Sequence, residues 1–385
     1  HQQKINKEIY MKNIHWLGAG LSSIPGIRRL AKKENNLTVW NRTLSKAKNS
    51  INHVNHPNIK AKKFNFSDLE KTISEGDIIV SQLSANMHLE VANLCLKNRC
   101  HFACTSYISS ELKELDEKAK NLGLIFITEV GLDPGIDHFF SHLLVQNLKE
   151  KKFKDISLSY RSYCGGISAI PNDFKYKFSW SPVGVIKALN NKARFIENYK
   201  ETSVTPYKHI SNFSIKNESF EAYPNRNSIP YIEEYKFPPD WNIKEFVRGT
   251  LRLDGWSKAW KEIFSVLDNK TSNIDQKITE KSDELWNKYQ YKKDEEDRVV
   301  LWVNLEAKKN NNIIWSETYH LDEKGKNENT AMAKLVSITL SAAIDLIIDN
   351  KFSSGVLSAP SDKESINYFF KILSEYSVNI NHQYD

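Results

Sequence analysis

The chain has 385 residues, 40% hydrophobic, 11% aromatic and 26% charged, which is enough apolar and aromatic material to exclude disorder, and its length favours two domains over one. Its 54 basic and 47 acidic residues leave a charge of +7, but Lys32, Lys62, Lys97, Lys151 and Lys258 lie scattered among acids, a solvated surface and not the stripe a nucleic acid needs. Cys95, Cys100, Cys104 and Cys164 form no CxxC pair, no histidine spacing suits a metal, and no apolar run is read as approaching the roughly 18 residues of a membrane span, so a cytoplasmic protein without metal, membrane or nucleic-acid partners is expected.

Residues 1–10 (HQQKINKEIY) lack the apolar stretch of a signal peptide. Met11 reads as the natural start, with the segment before it a leader or an expression remnant. Residues 13–17 read as a buried strand, followed by Gly18-Ala19-Gly20-Leu21-Ser22-Ser23 and a helix to Lys33. Gly18 lets the chain turn tightly and Gly20 lets a pyrophosphate approach the backbone at a helix N-terminus. Ser23 takes the place of a third glycine, so the turn is a weak signal by itself.

A second strand at 37–40 runs into Asn41-Arg42-Thr43, where NAD-binding chains usually carry an acid for the ribose hydroxyls. The acid is missing. An arginine fork with the Thr43 hydroxyl suits a 2′-phosphate, so NADP(H) is favoured over NAD(H); a surface arginine in a turn is the alternative. Strands at 61–66, 77–81, 101–105 and 124–128 alternate with helix-length stretches, the pattern of a doubly wound parallel sheet, hence an α/β Rossmann domain. Ligands lie beyond the carboxyl ends of such strands, which places Leu83, Ser84, Thr105, Ser106 and Tyr107 near cofactor or substrate.

In the segment 129–138, Asp133 before Pro134 also fits a plain helix start, an N-cap followed by a first-turn proline, with the helix running to about Leu148. His138 and His142, flanked by Phe139 and Phe140, suit a packed helix face better than a metal pair. Strands at 156–163 and 298–305 indicate a mixed α+β second domain. Arg226 and Arg248 sit among turn and small polar residues and suit carboxylate capture; surface ion pairs, or a turn held by Asn225, are equally open. Residues 268–296 read as a solvated helix or linker and 331–349 as a helix. Gly355 to Pro360 end that run before a last helix, and the C-terminal helices are expected to pack back on the Rossmann domain.

The blocks LGAG (17–20), NRTL (41–44), TSYIS (105–109), EVGLDPGIDH (129–138), SYCGG (162–166), YKFSWSP.G (176–184), YPNR (223–226), RGTLR (248–252) and AMAKLV (331–336) together resemble the glutamate-forming saccharopine dehydrogenases, also called saccharopine reductases. The resemblance runs from Met11 nearly to the C-terminus. It implies reversible, nicotinamide-dependent oxidation at the secondary amine of saccharopine in lysine metabolism, followed by imine hydrolysis to L-glutamate and 2-aminoadipate 6-semialdehyde. It implies a domain at 11–133, joined by about 352–385, a substrate-binding and dimerisation domain at 134–351, and a homodimer. By the same resemblance Gly18, Ala19, Gly20, Leu21 and Ser22 form the pyrophosphate turn, and Asn41, Arg42 and Thr43 the 2′-phosphate site. Asn65, Phe66, Leu83, Thr105, Ser106, Leu132, Pro134 and Ser181 are further cofactor contacts. Ser106, Tyr107, Asp133, Arg226, Arg248, Gly249 and Thr250 contact the substrate, whose carboxylates suit arginine forks and whose amines suit Asp133.

Imine hydrolysis needs a group that moves protons near neutral pH. Asp133, Cys164 and Tyr107 are the unranked candidates, a small buried cysteine and a pocket-lining tyrosine being the alternatives. The chain departs from the family pattern at Asn227, where an aspartate often follows YPNR, at Ser84-Ala85-Asn86, where a proline-tyrosine segment is usual, and in a shorter stretch from 264 to 297. These departures bear on the substrate. A related imine reductase, such as a carboxynorspermidine synthase, and a non-catalytic cofactor- or amino-acid-binding homologue are the competing readings.

Overall fold

The computed structural model describes residues 12–33, 35–269 and 272–384, so the expected leader and start at Met11 lie outside the described residues. The chain divides into two compact units, one holding the residues up to Ile136 together with Ala333–Leu373, the other Asp137–Met332 with the C-terminal residues from Ser374.

The first unit is built on β1 (Asn13–Leu17), β2 (Asn36–Asn41), β3 (Ile59–Lys63), β4 (Ile78–Ser81), β5 (His101–Cys104) and β6 (Ile125–Ile127). With the late strand Gly355–Leu357 beside β6, they form a seven-stranded sheet, ordered from that strand through β6-β5-β4-β1-β2-β3, in which neighbouring strands run parallel. All residues of β4 and β5 are buried, as a sheet covered on both faces requires. The order reverses between β1 and β4, where Gln82 N donates to Leu17 O, while on the other side of β1 Gly18 N donates to Trp40 O at the end of β2, both at 2.8 Å. The third strand ends earlier than expected because the Asn65 side chain accepts from Asp68 N (2.8 Å) and starts the helix Phe66–Thr72.

The helix Ala331–Ile348 corrects the reading that no apolar run reaches membrane-span length: it has 18 residues and a mean hydropathy of 1.8. It is 78% buried, so its apolarity is that of a core helix. The helix Ile24–Lys32 meets it at Gly26, whose amide donates to Ser337 Oγ (2.8 Å), and Arg29 forms a buried ion pair with Asp345. This docking draws 333–351 into the first unit, where the sequence had suggested the second. The C-terminal residues move the other way, because the strand Asn381–Tyr384 joins the second unit's sheet.

That sheet contains β7 (Ser157–Ser168), β8 (Ala193–Glu197), β9 (Lys200–Val204), β10 (Ser211–Ile215), β11 (Glu218–Pro224), β12 (Asn242–Leu253), β13 (Glu296–Lys309) and β14 (Asn312–Lys326). Its order is β10-β11-β12-β7-β13-β14 and then Asn381–Tyr384, with β8 and β9 attached through β12. Among the described residues β12 and β7 pair in parallel and the other strands of this sheet antiparallel. Asn310 and Asn311 turn β13 into β14 with φ of 51° and 62°, a conformation asparagine tolerates and tight hairpins favour. The segment 268–296, expected as a solvated helix or linker, contains the helix Ile274–Tyr289, which is not wholly solvated but buries Ile278 and Leu285 against the cluster around Trp256 and Trp260.

Candidate functional site

At the carboxyl ends of β1 and β2 the backbone is arranged for a dinucleotide. Gly18 has φ +99°, and a Cβ there would lie 2.6 Å from Gln82 O, so only glycine fits. Gly20 differs: a Cβ there would meet nothing within 4 Å, and Leu21 beside it is 62% exposed. The second glycine therefore borders open space, which suits close approach of a pyrophosphate. The packing expected of a third glycine falls three residues after Ser23, at Gly26.

Asn41 ties the two turns together, its Oδ1 accepting from Ala19 N (3.0 Å) and its Nδ2 donating to Thr43 O (3.1 Å). Ala19's amide is thus engaged by protein. Arg42 and Thr43 are exposed, and among the described residues Arg42 has no ion-pair or hydrogen-bond partner, so its whole fork is available to a phosphate. Asn65 and Phe66 lie just beyond β3, with the Asn65 carboxamide engaged in its cap. These residues fit an NADP molecule, which would bring its 2′-phosphate to Arg42 and its pyrophosphate to Gly20.

Beyond β4 and β5 stand the expected contacts Leu83, Thr105, Ser106 and Tyr107. The Thr105 hydroxyl donates to Gln82 Oε1 (3.0 Å). The segment 131–135 corrects the reading of Asp133 and Pro134 as a helix start, because the helix begins only at Ile136. Gly131 N donates to Pro134 O (3.0 Å) and Ile136 N to Gly131 O (3.0 Å), closing a tight loop. A Cβ on Gly135 would come within 2.0 Å of Gly131 O, and one on Gly131 within 2.9 Å of Thr105 Cβ, so both glycines are steric requirements. Leu132 and Pro134 are buried in this loop, while Asp133 is half-buried and accepts from the Tyr107 hydroxyl (3.4 Å). Two of the three proton-transfer candidates therefore meet.

A third side chain here escaped the sequence reading. His88 is 6% exposed and bridges Ser81 Oγ to Ser106 Oγ, each at 2.8 Å. Burial lowers its pKa to about 4, so the ring is neutral near pH 7, one nitrogen donating and the other accepting. Only the fold could reveal this, since His88 lies on a helix 18 residues before Ser106.

In the second unit the two expected arginine forks part company. Arg226 is exposed, has φ 58° and lines a cavity of about 300 Å³ together with Thr250. Arg248 does not line it. Arg248 is 4% exposed, and its guanidinium pairs with buried Asp137 (2.5 Å) and stacks 4.2 Å from the Tyr231 ring centroid. Gly249 is a packing position, where a Cβ would lie 2.6 Å from the Tyr163 ring. Cys164 is buried at 9% exposure in the middle of β7, facing Thr250 in register. Ser181 is exposed at the start of the helix Pro182–Asn190 and makes no side-chain cap. Arg252, four residues further along the same strand, lines the cavity.

Comparison with known proteins now bears on these units. Residues 14–127 match the family model described as the saccharopine dehydrogenase NADP binding domain, and residues 131–378 match the saccharopine dehydrogenase C-terminal domain. Saccharopine dehydrogenase [NADP(+), L-glutamate-forming] of Schizosaccharomyces pombe is 37% identical over 64% of this chain, and the match spans 56% of that enzyme's length. The enzyme of the same description from Pyricularia oryzae is 28% identical over 94% of this chain and 97% of its own. Among solved structures, apo saccharopine dehydrogenase (L-Glu forming) from Saccharomyces cerevisiae superposes with a TM-score of 0.80 at 25% identity, covering 97% of this chain and all of that one. A nucleotide end that favours a 2′-phosphate, a glycine loop presenting an aspartate and family matches over both units agree, and the chain belongs to the saccharopine dehydrogenase family.

Proposed function

We propose that this chain is an NADP-dependent saccharopine dehydrogenase that oxidises saccharopine reversibly to L-glutamate and 2-aminoadipate 6-semialdehyde in lysine metabolism. The observation that carries the reading is the Tyr107 and Asp133 pair, set by the glycine loop at the carboxyl ends of a parallel sheet whose glycine turn and Arg42 suit NADP. Nitrogen leaves with glutamate, so the carbon that becomes the aldehyde is the one oxidised. Bound NADP+ supplies the hydride acceptor for that carbon.

The protein's part is orientation and proton transfer. Asp133 carries the charge that stabilises the cationic nitrogen and serves as the base for the water that attacks the imine carbon. Tyr107 fixes the carboxylate through its hydroxyl, and His88 fixes the Ser106 hydroxyl. Cys164, buried within a strand, is left as a packing residue in this scheme.

Purified protein mixed with NADP+ and saccharopine should generate the absorbance of reduced nicotinamide. Asp133→Asn should lower kcat by roughly 10²–10⁴-fold, the usual worth of a positioned acid or base, with the KM for NADP+ retained. Silence of the wild type with both NADP+ and NAD+ would refute the activity, and a normal rate in Asp133→Asn would refute the role. A cytoplasmic homodimer belongs to the same proposal and is checked by light scattering and by imaging of a tagged chain.

A further inference from the structure

We infer that His88 is a positioning residue: Ser81 holds its ring in the Nε2–H tautomer, and that tautomer makes the Ser106 hydroxyl a hydrogen-bond donor to a carboxylate oxygen of the substrate. The inference deepens the proposed function and rests on it for the identity of the substrate. His88 opens the helix His88–Asn98 that follows β4. From there its ring lies edge-on to Phe102, with centroids 6.2 Å apart, and joins the last residue of β4 to a residue just beyond β5.

A neutral imidazole has one N–H, so one nitrogen donates and the other accepts. Two arrangements are open to the row Ser81, His88, Ser106, and burial decides between them. Ser81 is fully buried, and among the described residues its Oγ meets no partner besides His88 Nδ1 (2.8 Å). Were the proton on Nδ1, the Ser81 hydroxyl hydrogen would be buried without an acceptor, which is costly. Ser81 therefore donates to Nδ1, and Nε2–H donates to Ser106 Oγ (2.8 Å). Burial keeps the ring neutral, with its pKa lowered to about 4, so the arrangement holds at neutral pH.

Ser106 is half-buried, and its hydroxyl has no second partner among the described residues. Having accepted from His88, it presents its hydrogen outward, which favours an acceptor oxygen over an ammonium. The residues on either side divide the site. Thr105 turns its hydroxyl to Gln82 Oε1 (3.0 Å), and Tyr107 donates to Asp133 Oδ1 (3.4 Å). In the proposed reaction Asp133 faces the substrate nitrogen, and the carbon next to that nitrogen in the glutamate part carries a carboxylate. A donor beside Tyr107 suits that carboxylate, and the bond is charge-assisted.

A double-mutant cycle tests the link. His88→Phe keeps a ring and removes both nitrogens. It should lower kcat/KM for saccharopine by roughly 10–150-fold, the worth of a hydrogen bond to a charged group, with the KM for NADP+ unchanged. In a Ser106→Ala background the same substitution should cost less than about twofold, because the hydroxyl it serves is gone. Ser81→Ala, which frees Nδ1, should reproduce part of the loss, and His88→Gln, which restores an N–H toward Ser106, should recover part of it. These two variants keep the test decisive if the Phe variant does not fold. Equal losses in both backgrounds, or a loss carried by the KM for NADP+, overturn the inference. Long-range proton–nitrogen NMR correlations read the tautomer without turnover: a protonated Nε2 with a bare Nδ1 upholds the inference, and the reverse overturns it. A wild type silent with saccharopine overturns the reaction, and the spectrum then still decides the role of His88.

Discussion

Replacing Arg42 tests the cofactor reading most sharply, because the structure leaves that side chain no structural task. It is exposed at the end of β2 and touches no partner among the described residues, so its removal should not disturb the fold. A hydrogen bond to a charged group contributes about 1.5–3 kcal/mol, and each 1.4 kcal/mol is about tenfold in affinity. Arg42→Gln should therefore raise the KM for NADP+ roughly 10–150-fold and leave the KM for NAD+ nearly unchanged. Arg42→Asp should go further by repelling the 2′-phosphate. The gap between the two cofactors should shrink as ionic strength rises, since an exposed pair is screened. Initial rates with saccharopine and each cofactor in turn measure it. An equal loss for both cofactors would mean that Arg42 acts through structure, and no loss for either would place the 2′-phosphate elsewhere.

Two further outcomes concern stability. Burial lowers His88 and His101 to about 4 and His142 to about 3, whereas in the unfolded chain they protonate near the ordinary value of about 6.5. The stability they contribute is complete above about pH 6.5 and is lost as pH falls from there toward 4, so Tm should drop across that window, and a flat Tm would sink the idea. Gly26→Ala would set a Cβ 2.2 Å from Ser337 O; overpacking costs about 1–3 kcal/mol and outweighs the ~0.5–1 kcal/mol that alanine gains over glycine in a helix. A Tm equal to or above wild type would show that the two helices can separate freely.

What could be read from the chain alone was whatever neighbouring residues decide. The strand, the Gly18 turn and the Asn41-Arg42-Thr43 segment are local, and their order fixed the α/β class. Asp133-Pro134 was ambiguous because the pair fits a helix start and a loop equally well. The contact of Gly135 with Gly131 and of Gly131 with Thr105 decides for the loop. The strand Gly355–Leu357 has only three residues, too few for a period to show. Gly26 and Ser337 are 311 residues apart, and no local pattern announces that the helix Ala331–Ile348 packs at that glycine. His88 and Arg252 are ordinary residues in their own segments, and only their neighbours in space distinguish them.

The motif EVGLDPGIDH shows how one local block can serve two separate ends. Its two aspartates are four residues apart, and the boundary between the compact units falls between them, after Ile136. Asp133 stays half-buried on the loop and meets a tyrosine hydroxyl, an environment that leaves a carboxylate in reach of a ligand. Asp137 is fully buried in the first turn of its helix, pairs with Arg248 and lies 3.7 Å from His138. Removing one partner of such a buried pair typically costs about 3–5 kcal/mol, because the other charge stays behind. The second aspartate is therefore bound to its arginine by stability.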